Sequence, residues 1–403
     1  MKYFLIISLL VSLYSCKNSV SENSSLTQGS STLNDCSLTD GQVPIMNGVI
    51  SLTNEATTTT TPEISFNSAT DNCQLSHYEV ALGNSAGSQN VLNYTTIGLS
   101  ISKTLSNLNL KYSDVYFASV RAVDSAGNVS AVITSNPFQV FTPKSLTGLV
   151  LWLDASDLVS IKDNEGDDAT STNFSGDVKN WQDISQSTFS HSFLNKATSF
   201  PKFDVVARGM KFNGSQELMS TLDHTDINTS VVGQRTILVN FKTSNNISSR
   251  QVIYEEGGTV RGLNIYIDSG KIRCGFWNNT NDGDGIQPYI DVEEGISSDT
   301  KYSVIIRYDY SNYNGATGTD RSVECFLNGQ TMGVVNTTSR LHAHGGDIGL
   351  GGENNDSYFY DGPSSSTTGS FFDGIIFELL MYNQAHTDSE IAKLNSVMQK
   401  KWQ

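Results

Sequence analysis

The chain has 403 residues, with 41 acidic against 25 basic side chains, a net charge of −16 and only 16% charged residues overall. A balance this acidic argues against nucleic acid and anionic membrane as direct partners. Sparse charge with abundant Ser, Thr, Asn and Gly argues against a helical cytosolic enzyme; it fits an exported all-β protein long enough for two domains.

Residues 1–15 read as an address rather than structure. Lys2 supplies a positive start and Phe4–Leu13 a short apolar core, too short to span a bilayer as a folded helix. The run Leu13-Tyr14-Ser15-Cys16 closes it and resembles a bacterial lipoprotein signal. That resemblance implies a lipidated Cys16 as mature N-terminus. With Lys17 in place of an Asp, it also implies the outer membrane, periplasmic or surface-facing, with membrane contact through the anchor alone. Residues 16–42 are rich in Ser, Asn and Thr and poor in apolar side chains, so they are expected to form a flexible tether.

Residues 43–142 are expected to form one small β-sandwich. Strand patterns recur at Glu63–Asn67, His77–Leu82, Val91–Ile97, Ser100–Leu105, Val115–Asp124 and Val129–Thr134, with turn signals between them. In the segment "VYFASVRAVDSAGNVSA", Val120 and Ala122 alternate with Ser119, Arg121 and Val123 before a Gly127-Asn128 turn. This resembles the last strand pair of a fibronectin type III module, with Tyr116 near the corner tyrosine and Phe66 standing where a tryptophan is usual. The resemblance implies a spacer. Gly83-Asn84-Ser85-Ala86-Gly87 matches a nucleophile elbow, but it lies between two strand patterns and predicts a hairpin turn instead.

From residue 146 to 403 strand follows strand. The patterns fall at Arg235–Lys242, Gln251–Glu255, Gly262–Asp268, Lys271–Trp277, Lys301–Tyr310 and Ser322–Asn328. Phe371–Tyr382 is a long aromatic and branched run that suits a strand buried on both faces, and the apolar run Gly148–Asp157 is its expected partner. Thr387 and Glu390 form a capping box. Ile391, Leu394 and Met398 then give one short C-terminal helix an apolar face. In order, "GLVLWLDASD", "KNWQDIS", "GMKFNGSQELM", "RTILVNFKT", "VECFLNGQTMG" and "FFDGIIFELLMYN" resemble the laminin G-like branch of the concanavalin A-like lectin/glucanase fold, a two-sheet jelly roll.

That fold hosts both enzymes and binding modules, so function must be argued from a site. The Glu-x-Asp-x-Glu pattern of its glucanases is missing. The nearest candidates, Asp291-Val292-Glu293-Glu294 and Glu255-Glu256, read as solvated turns. His342-Ala343-His344 lacks a third zinc ligand at a known spacing and reads as two exposed strand-edge histidines. The expectation is therefore a non-catalytic head that recognises glycan or protein. The alternatives are a glycan hydrolase without the usual motif and a structural envelope component. Trp277, with Asn279 and Asn281 in the following loop, is the expected contact surface, since an aromatic face stacks on sugar C–H groups while amides bind hydroxyls.

One structural calcium is also expected, with an ordinary solvated acidic loop as the alternative. Asp163, Glu165 and Asp167 alternate in an acidic loop and would converge on a cation if the loop is extended. The competing site is Asn281, Asp282 and Asp284, where Gly283 and Gly285 permit a sharp turn. Four cysteines besides Cys16 suit an oxidising compartment. Cys36 and Cys73 are expected to pair. Cys274 and Cys325 both point into the core; in a meander with Lys301–Tyr310 between them they would stand two strands apart, and both a bridge and two buried thiols remain open.

Overall fold

A computed structural model describes residues 40–402 apart from 53–55, 58–61, 109, 111–113, 311–321 and 365–367. The signal sequence, Cys16, most of the expected tether and Cys36 lie outside the described residues, so the Cys36–Cys73 pairing is not visible.

The protein is all-β, with one α-helix among the described residues, Asp388–Trp402. Before Pro143 the strands form two small sheets. One joins Ser51–Leu52, Glu63–Ser65 and Ser102–Thr104, and the other is centred on Leu75–Gly83 and Val115–Asp124. Val80, Leu82, Ala118, Val120 and Ala122 fill the space between them, with Phe66 set edge-on to Tyr78 at 5.0 Å. The elbow-like glycine segment is a turn between two strands, as its surroundings predict, with Gly87 at φ 77°.

After the 3-10 turn Pro143–Ser145 come two larger facing sheets, a sandwich of jelly-roll type. The strand Asp373–Tyr382 is the hub of the eight-stranded sheet. One edge pairs with Gln234–Thr243 along its length; the other pairs with Gly209–Asn213 through its first half and Leu149–Asp154 through its second. The two ends of this part of the chain thus meet, as their hydrophobicity predicts. Phe377, Leu379 and Met381 face the inter-sheet core, while Leu380 and Tyr382 face outward under the helix. Each such side chain taken out of water contributes roughly 1.5–3 kcal/mol. The helix starts at the expected box, where Thr387 N–H donates to Glu390 at 2.8 Å and Glu390 N–H donates to Thr387 Oγ1 at 3.3 Å. Ile391, Leu394 and Met398 pack with Phe141 and Leu146 of the connecting segment.

Three expectations are corrected here. Glu255 and Glu256 are not in a solvated turn: both lie on the strand Gln251–Gly257 at 0% exposure. Glu255 accepts from Asn354 N–H at 2.9 Å, and Tyr254 donates to Glu256 at 2.7 Å. Residues 291–294 likewise belong to a strand, Gln287–Gly295.

Cys274 and Cys325 are not two strands apart in one sheet. The chain crosses to the other sheet between Gln287–Gly295 and Lys301–Asp309, so Lys271–Asn278 belongs to the nine-stranded sheet and Ser322–Leu327 to the eight-stranded one. The two free thiols face each other across the core within hydrogen-bonding contact, and burial pushes the Cys325 thiol well up.

Candidate functional site

The residues named from sequence do not assemble into a site. Trp277 is fully buried, and its Nε1–H donates to Gly258 O at 2.8 Å. Phe276 faces the inter-sheet core. Trp277 takes the opposite face of the strand, where Tyr289 and Tyr358 cover it with ring centroids 5.8 and 6.2 Å away. It therefore offers no open face to a sugar. Asn279 spends its amide on Thr259 O at 3.1 Å, and Asn281 accepts from Gly283 N–H at 3.0 Å to close its own turn.

Apart from Glu165, the side chains of both expected calcium trios have partners within the protein. Asp163 is the acceptor that folds its loop: Oδ1 takes the N–H groups of Glu165 (3.1 Å) and Asp167 (2.9 Å), and Oδ2 takes that of Ser175 (2.9 Å). Those backbone donors hold its pKa below the usual carboxylate range. Glu165 points into solvent, and Asp167 accepts from Ser171 Oγ. In the other loop Asp282 pairs with Arg261, and Asp284 accepts from His342 at 2.9 Å and Ser339 at 3.2 Å. His342 and His344 are not two exposed strand-edge residues either. His344 is buried and hydrogen-bonds back to His342 O at 2.8 Å.

The cleft that does combine an aromatic with carboxylates lies elsewhere, around Trp152. In the strand Leu149–Asp154, Leu151 and Leu153 enter the core, so alternation turns Trp152 and Asp154 to the outer face, beside Lys401 and Trp402 at the end of the helix. A cleft of about 530 Å³ opens on one side, reaching Trp402, Arg208 and Val206. A second of about 500 Å³ opens on the other, reaching Lys144, Asp157 and Asp183. Val205 and Val206 are 71% and 91% exposed at the rim, an unusual placement for adjacent branched apolar side chains.

Beneath the cleft is a closed network. Glu378, the cross-strand partner of Asp154, accepts Trp152 Nε1–H at 2.7 Å through one oxygen. Its other oxygen takes Trp402 Nε1–H at 2.6 Å and Lys401 at 3.0 Å. Lys401 also reaches Asp154 at 2.7 Å. Burial pushes the Glu378 pKa up to about 7, with the Lys401 ammonium pulling against it. Burial works against the Lys401 charge too, but the two carboxylates prevail and raise its pKa. Asp183 fixes the loop opposite, accepting from the backbone N–H of Trp152 and of His191, each at 3.0 Å. Lys144 is drawn down by burial, against the pull of Asp183 and Asp157.

Sequence reasoning passed over this cleft because its parts are far apart. Trp152 and Glu378 are separated by 226 positions. The available signal was Trp152 and Asp154 on the polar phase of an otherwise apolar strand.

No protein-family model matches the chain, and no curated protein matches it by sequence. Among solved structures it is similar to the binding domain of botulinum neurotoxin serotype D, at 9% identity and a TM-score of 0.40 over 62% of this chain and 51% of that one. It is also similar to the type G receptor binding domain, at 11% identity and 0.41 over 62% and 52%. A third is the neurotoxin DC binding domain in complex with SialylT, at 10% identity and 0.41 over 62% and 51%. The chain thus spans about half the length of these structures. Scores this low leave the architecture to be read from the strand order itself.

Proposed function

We propose that the chain is a non-catalytic recognition protein whose laminin G-like head takes a glycan in the cleft around Trp152. The observation that carries this reading is the half-buried indole between two open clefts, its inner edge pinned by Glu378 and its remaining surface turned to solvent beside Asp154, Asp157 and Asp183. A pinned aromatic loses little freedom on binding, and the surrounding carboxylates and ammonium suit hydroxyl groups. The same network argues against hydrolysis. Of the carboxylates around the cleft, Asp154 is buried and paired with Lys401, Asp183 is held by two backbone N–H groups, and Glu378 beneath them is 0% exposed with both oxygens occupied. A general acid must reach the bond it protonates.

Around that head we place, also as proposals, a lipid anchor at Cys16 in the outer membrane, a tether, and a fibronectin type III-like spacer over 43–142. The test is a glycan array with release of reducing ends followed on each hit. Binding without turnover is expected, with Trp152→Ala weakening it by about 2 kcal/mol, roughly 30-fold. Turnover of any bound glycan, or undiminished binding by the variant, overturns the reading.

A further inference from the structure

His191, His224 and Asp226 come together from two loops that no local pattern links. The nearest ring nitrogen and carboxylate oxygens all lie within 4.8 Å of one another. His191 Nε2 is 3.0 Å from Asp226 Oδ2, and His224 Nδ1 is 2.5 Å from Asp226 Oδ1. The two imidazoles, with centroids 5.1 Å apart, therefore address different oxygens of one carboxylate.

The backbone behind them is held in place before any ligand arrives. His224 O accepts the N–H groups of Ile227, Asn228 and Thr229 at 3.1, 2.8 and 3.0 Å, and His224 N–H donates to Asn228 Oδ1 at 2.9 Å. The Arg235 guanidinium donates to Ile227 O at 2.7 Å just beyond Asp226. On the other loop, His191 N–H is anchored on Asp183 at 3.0 Å. Phe189 lies against His224 with ring centroids 4.1 Å apart, closing one side. The His191 side chain is 3% exposed, Asp226 16% and His224 31%, so the trio is lined by protein but reachable from solvent past His224.

We infer that His191, His224 and Asp226 bind a divalent d-block cation of the zinc class, leaving one coordination position open. Two imidazole nitrogens and one carboxylate suit such an ion, which favours nitrogen and oxygen donors in a four-coordinate set. Calcium takes six to eight oxygens and finds too few here. The inference is independent of the Trp152 cleft and stands or falls separately from it.

The experiment uses the full chain without a histidine tag, dialysed against zinc chloride and assayed for bound metal, with cobalt as a spectroscopic substitute. Expected are about one equivalent of zinc per chain, a visible cobalt spectrum of tetrahedral intensity, and no competition from calcium. Asp226→Asn and His224→Ala, both at partly exposed positions, should each weaken zinc binding by more than roughly tenfold, since loss of even an outer partner typically costs that much. Unchanged far-ultraviolet circular dichroism identifies each variant as folded. Failure of the parent chain to retain zinc, or equal affinity in both folded variants, overturns the inference.

Discussion

Trp152 and Glu378 are held together by a 2.7 Å hydrogen bond from the indole Nε1–H to a carboxylate with no exposed surface. The same carboxylate accepts from Trp402 and Lys401, so one side chain joins the strand Leu149–Asp154, the hub strand and the last turn of the helix.

Removing that carboxylate should cost more than its own hydrogen bonds. Glu378→Ala leaves two indole N–H groups without an acceptor and the Lys401 ammonium paired only to Asp154. A loss of about 3–5 kcal/mol is expected, as for one partner removed from a buried ion pair. Glu378→Gln keeps the shape and acceptor oxygen and should lose less. Urea unfolding monitored by tryptophan fluorescence checks both; an alanine variant as stable as the parent would show that the network does not tie the helix down.

The hub strand and its helix were legible in the sequence because their signals are local: Phe371–Tyr382 is unbroken hydrophobic sequence, and Thr387 and Glu390 are three apart. The pairing with Leu149–Asp154 was legible too, since each run needed a buried partner. What local pattern could not convey was which face of a strand is covered, and by what. Trp277 alternates with Phe276 and so looked exposed, but the segment carrying Tyr358 folds over that face. Glu255 and Glu256 looked solvated because they are charged, whereas Arg235, Tyr254 and Asn354 supply their burial with partners. His191 and Asp226, 35 positions apart, carry no spacing signal at all.

Asp163 should matter to stability without reference to any ion. Its two oxygens take three backbone N–H groups, and alanine would leave those donors to water or to none. Asp163→Ala is expected to lower the melting temperature by the same amount in millimolar calcium and in chelator. A parent protein whose melting temperature rises with calcium, and a variant that loses the rise, would restore this loop as a calcium site.

Cys274 and Cys325 face each other as free thiols from opposite sheets, so a mild oxidant should join them with little movement. Closing that loop removes unfolded-state entropy worth at most about 4 kcal/mol. Oxidised protein is expected to melt higher and to leave both cysteines unalkylated when denatured without reductant. Recovery of both alkylated peptides after oxidation would mean that the core cannot bring the sulfurs to bonding distance.

Glu217 supplies the clearest pH dependence. It is 5% exposed and accepts Asn213 N–H at 2.6 Å and the Asn213 amide at 2.8 Å, yet burial pushes its pKa from the ordinary 4.5 up to about 7. The folded chain therefore holds this proton more tightly than the unfolded chain does. Its contribution to stability is fully present below about pH 4.5 and is lost as the pH rises towards 7. A shift of that size corresponds to an expected loss of about 3 kcal/mol between pH 4.5 and 8. Glu217→Gln holds a neutral side chain throughout and should flatten that portion of the pH profile. Unfolding free energies measured across the window for both proteins check this, and parallel profiles would mean that the Glu217 carboxyl keeps an ordinary pKa in the folded chain.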